Sequence, residues 1–193
     1  MALAPRIPRA SVRMALGGLV AGTGAAATMI AYAMVAAATY QDTGFFTPLY
    51  HIASTFIEPA AMEASMRQAM GGSSFYFDVG PAALGLAVHL GVGAVLGAVF
   101  GTLVGTLRPF RLGALMLGLG YGLVMLVAMS FVVLPAAAAL FGGGEAISDM
   151  ADMVGWGTFT LEHLIFGLVL GLWAALWTAP AAVSGEVTAS LAR

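Results

Sequence analysis

Few residues in this chain can do chemistry. In 193 residues there are three histidines, nine acids, seven arginines, no lysine and no cysteine. Thiolate catalysis, disulfides and cysteine-ligated metals are therefore excluded. The pair that stands out is His89 and His163, because each opens the same pattern. HLGVGAVLG runs from His89 to Gly97 and HLIFGLVLG from His163 to Gly171, both reading H-L-x-x-G-x-x-x-G. Each lies in a long apolar run, where an ionisable side chain is a functional hypothesis by default. Two imidazoles facing one another from separate helices can ligate a haem iron axially, as in a haem b centre. Gly85 and Gly93, one turn to either side of His89, would leave room for the flat macrocycle. A chlorophyll-type pigment needs only one of the two. The same rings can instead hydrogen-bond a carbonyl or a threonine hydroxyl and hold two halves of a bundle together with no cofactor. Proton handling with Glu162 is a third use, but Glu162 precedes His163 and points about 100° away from it on a helix. That direction suits a group near the outer boundary, held by Thr158, Thr160 or water.

The remaining candidates are simpler. His51 falls on the polar side of a short helix and reads as interfacial. Met62, Met66 and Met70 form a helical stripe that can bind Cu(I) or, more simply, pack. Glu145, Asp149 and Asp152 read as a solvated acidic face, not a hard-cation site, and no metal ligand set is assigned. The glycine motifs follow no strand and include no GK[ST], so they are not nucleotide loops.

The elements that would position these residues are membrane spans. The chain is 61% hydrophobic and 8% charged, with mean hydropathy +0.97, far from a soluble domain. Four uncharged or nearly uncharged runs, at about 14–40, 81–107, 112–134 and 156–177, are long enough to cross a bilayer as helices. The first is too long for a signal h-region of about 7–15 residues. Pro135 should kink or end the third, with 136–141 as a last bent turn. Within span two Gly85, Gly93, Gly97, Gly101 and Gly105 recur at multiples of four, and Gly167 and Gly171 repeat the spacing in span four. In lipid such a stripe lets another backbone approach closely. So many bare positions exceed what four helices need among themselves, which points to packing against other transmembrane subunits or copies of the chain.

Residues 41–80 form the longest segment outside the spans. Thr47 can cap a helix with Pro48 at its first position and Leu49, Ile52, Ala53, Phe56 and Ile57 on one face, lying in the interface or folding back on the bundle. A second short helix covers AAMEASMRQAM and stops at Gly71 and Gly72. Residues 145–155 read as an acidic loop. Arg6, Arg9, Arg13, Arg108, Arg111 and Arg193 share one side of a four-span topology, which the positive-inside rule makes cytoplasmic, together with both termini. The net charge of −2 offers nothing to nucleic acid.

Spans one and three also share a weaker match, AGTGAAATM (21–29) against LGLGYGLVM (117–125), so the chain reads as two tandem helical hairpins. The fold expected is an all-α four-helix membrane bundle in one domain, residues 1–193. From VHLGVGAVLG through the basic turn and Pro135 to EHLIFGLVLGLW, residues 81–177 resemble the YagU-like bacterial inner-membrane proteins. That resemblance implies a four-helix protein of the bacterial inner membrane and carries over no site residue. The expected function is a non-catalytic membrane subunit of a bioenergetic or transport assembly or homo-oligomer. The alternatives are a bis-histidine haem or pigment protein and, third, a small transporter.

Overall fold

The computed structural model describes residues 9–177, and every element in that range is helical. Four stretches are long and apolar enough to cross a membrane: Val12–Thr39 within α1 (Arg9–Thr39), α4 (Val79–Leu107), Arg111–Phe141, and α9 (Trp156–Trp177). The protein is an all-α four-helix membrane bundle. Asp78 accepts a hydrogen bond from the Gly80 N–H at the start of α4, and Arg108 ends that helix in the left-handed region ahead of Pro109.

The third span does not stop at Pro135. It runs as α5 (Arg111–Ala128), a π-helical turn (Met129–Val133) and α6 (Leu134–Phe141). Pro135 has no N–H for the Phe131 carbonyl and its ring presses on that carbonyl. Widening the preceding turn by one residue relieves the clash and lets the helix continue to Gly142.

Two antiparallel pairs build the bundle, and glycine makes both. A Cβ on Gly22 would collide with the Gly93 carbonyl oxygen and lie 2.6 Å from Gly97 Cα; a Cβ on Gly118 would collide with the Gly167 carbonyl oxygen and lie 2.5 Å from Gly171 Cα. Gly22 and Gly118 are equivalent in the tandem alignment, as are Gly93 and Gly167, and Gly97 and Gly171. One backbone-to-backbone contact thus recurs in α1 on α4 and in α5 on α9. Gly101 meets Met14 and Gly18, which extends the first seam, and Gly105 lies half-buried beyond it. Gly85 faces no span: the Leu49 carbonyl of the outer segment fills its notch. These glycines are occupied inside the chain, so they are not the spare surface that the count alone suggests. The bare positions left facing outward in the spans include Gly24, Gly91 and Gly120.

The outer segment folds back on the bundle. Helix α2 (Thr47–Ala53) is capped by Phe46, with Thr47 inside it and its hydroxyl on Thr43 O and Ser65 Oγ. It buries Leu49, Tyr50, His51 and Ala53, while Phe56 and Ile57 lie beyond its end and are exposed. Helix α3 (Ala60–Met70) carries the exposed Glu63–Arg67 pair. The stretch read as an acidic loop is two single-turn helices, α7 (Gly144–Ser148) and α8 (Met150–Val154). Burial of Ile147, Met150 and Ala151 holds them while the acids stay outside.

Candidate functional site

The two pairs join along α1 and α9, whereas α4 and α5, although consecutive, barely touch. The space between them is closed at the arginine end. Phe100 packs on Tyr121 with ring centroids 5.2 Å apart, and the Tyr121 hydroxyl donates to the Leu96 carbonyl at 2.9 Å. Above that floor is a cavity of about 290 Å³, roofed by α2, α3 and α8. Its wall is mostly apolar, and seven of the chain's twelve methionines contribute to it. Val92 of α4 and Val133 of the π turn line it while remaining 42% and 43% exposed, so they form lips of a lateral opening toward the membrane.

All three histidines of the chain line this one cavity. His51 is therefore not interfacial. It is 6% exposed, and Nε2 donates to the Ala146 carbonyl at 2.6 Å, tying α2 to α7. Burial lowers its pKa from the ordinary 6.5, opposed by that hydrogen bond. His89 Nε2 donates across to the Ala26 carbonyl of α1 at 3.1 Å, and His163 Nδ1 donates to Phe159 O of its own helix at 2.8 Å. A carbonyl only accepts, so each ring spends its N–H on the backbone and keeps one lone-pair nitrogen.

Glu162 lines the same cavity and is 6% exposed. Among the described residues its carboxyl group has no hydrogen-bond or ion-pair partner. Of the boundary hydroxyls expected to hold it, Thr158 bonds the Tyr40 hydroxyl at 3.0 Å, with Tyr40 bonding Tyr32 at 2.9 Å, and Thr160 does not line the cavity. Tyr32 lies within electrostatic reach of Glu162. The 100° between Glu162 and His163 does not separate them functionally, because the cavity is broad enough for both to border it.

No protein family, curated protein or solved structure matches the chain. Function is therefore read from this geometry.

The room for a macrocycle at Gly85 and Gly93 is taken: Leu49 fills the first notch and the Ala26 methyl group the second. His89 has also committed Nε2 to Ala26. Met62 and Met66 line the cavity while Met70 is 78% exposed, so the three methionines do not converge. Among the described residues no cluster of three metal-ligating side chains occurs. Sequence reasoning allowed the outer segment to fold back on the bundle but missed the short helices α7 and α8 and the π turn. Pro135 four residues after Phe131 was the available signal for the turn, whose buried Ser130 Oγ has no partner among the described residues. Nothing local marks His51 as a roof residue, since Ala146 lies far along the chain.

Proposed function

We propose that the protein is a non-catalytic membrane protein that binds a lipophilic small molecule in the cavity between its two helix pairs. The observation that carries this reading is the cavity itself. It is enclosed on the arginine side, apolar for most of its wall, and open sideways between α4 and α5, where a molecule dissolved in the bilayer can enter. A non-catalytic role is supported by the histidines, whose N–H groups are spent on backbone carbonyls and none of which is bonded to a hydroxyl nucleophile. Arg13, Arg108 and Arg111 lie at the closed end and Asp42, Glu58, Asp78, Glu145 and Asp152 at the other, which supports a cytoplasmic arginine end in a bacterial inner membrane. The cavity then belongs to the outer leaflet.

An assembly role is left with outward notches such as Gly24, Gly91 and Gly120, because the α1–α4 and α5–α9 seams consume the other stripes. The test is equilibrium binding of a long-chain fluorescent alcohol to the protein in zwitterionic nanodiscs. Saturable binding is expected in the wild type, weakened at least tenfold by Ala137→Trp, which fills the cavity from α6. Binding that does not saturate, or that ignores the filled cavity, would overturn the reading.

A further inference from the structure

The polar groups of the cavity share one property. His51, His89 and His163 have each given away their ring N–H and present a lone pair. Glu162 presents a carboxyl group that no described residue bonds. Gln41 also lines the cavity, with one of its two amide N–H groups committed to the Val154 carbonyl at 2.6 Å. The Thr47 hydroxyl is spent on Thr43 and Ser65. Among the described residues no arginine lines the wall, and the chain has no lysine. The Thr43 hydroxyl donates to the Ala37 carbonyl at 3.5 Å, so the second Gln41 N–H and the Thr55 hydroxyl are the donors left in a lining otherwise made of acceptors.

An acceptor set with a buried acid selects its occupant by charge. A carboxylate shut away from water without a partner is strongly disfavoured, and it calls for a proton or a cation beside it. A phospholipid headgroup, a fatty acid or any other anion would meet mostly lone pairs, a buried acid and no cationic side chain, so the wall disfavours it. An uncharged alcohol brings one donor. A protonated primary amine brings three N–H donors and a positive charge, which suits a carboxylate and an imidazole lone pair in a wall rich in acceptors. Its hydrocarbon chain would lie along the methionines, and the faces of Phe159 and Phe166 border the same space.

Resting on the proposed cavity function, we infer that the occupant is a cationic amphiphile, a membrane-dissolved primary ammonium with an apolar chain, whose counter-ion is Glu162. A histidine lone-pair nitrogen of the lining receives an N–H donor.

Four probes matched in chain length test this in zwitterionic nanodiscs, with empty nanodiscs subtracted: dodecylamine, dodecanol, dodecanoate and dodecyltrimethylammonium. The amine is expected to bind at least tenfold more tightly than the alcohol, with the carboxylate weakest. Glu162→Gln is expected to lower the amine's affinity at least tenfold more than the alcohol's, and saturable alcohol binding in the variant shows that it keeps its cavity. The trimethyl probe keeps the charge and loses the donors, so binding between amine and alcohol supports the histidine role. Amine and alcohol binding equally would overturn the inference and leave the cavity function standing. If neither binds saturably, the cavity function itself fails.

Discussion

At the scale of single residues, the outer roof depends on one imidazole that the sequence places on a polar helix face. His51 is buried because α2 folds inward, and its bond to Ala146 O couples two segments almost a hundred positions apart in the chain. Its lowered pKa comes first from burial, and no charged group contributes. Folding therefore favours the neutral ring. Between the lowered value and 6.5 the unfolded state binds more protons than the folded state, so stability rises with pH through that window and falls on acidification. The expected outcome is a thermal unfolding midpoint in detergent that drops from pH 7.5 to 5.5 by more in the wild type than in His51→Gln, which keeps a donor for Ala146. Parallel slopes in the two proteins would remove His51 from the pH response.

At the scale of elements, the spans were legible because their cause is local: uncharged length and capping by Asp78, Arg108 and Gly142 are written in adjacent residues. The register Gly93, Gly97, Gly101 also marks the face α4 turns toward a backbone. Which backbone it meets is a long-range fact, as is the use of Gly85 by Leu49, and neither has a local signature. The cavity was illegible for the same reason, since it exists only where α4 and α5 fail to meet. The paired seams predict opposite effects for one substitution. Gly97→Ala puts a methyl group 2.5 Å from Gly22 Cα and Gly167→Ala puts one 3.0 Å from Gly122 Cα, so each should cost about 1–3 kcal/mol by overpacking. Gly91→Ala and Gly120→Ala meet nothing within 4 Å and should gain up to about 1 kcal/mol from helix propensity. Unfolding of the four variants in a denaturing detergent series measures both signs, and similar losses at all four would mean that the seams are not what the glycines serve.

At the scale of the whole molecule, the charge pattern and the cavity constrain each other. The closed floor at Phe100 and Tyr121 faces the arginine end, and the roofed cavity faces the acidic end. Acids around an opening raise the local concentration of cations, so an acidic roof over an acceptor-lined cavity is consistent from surface to interior. If the arginine end is cytoplasmic, an amphiphile must arrive through the outer leaflet and pass the lips at Val92 and Val133. The absence of native cysteine gives a direct measurement of that orientation. Ser73→Cys stands at the acidic end and Phe110→Cys, 74% exposed in the native protein, at the arginine end. A membrane-impermeant maleimide applied to intact cells should label the first and spare the second, and both should react once the cells are opened. The reverse pattern would turn the cavity toward the cytoplasm, and a cationic amphiphile would then have to be supplied from within the cell.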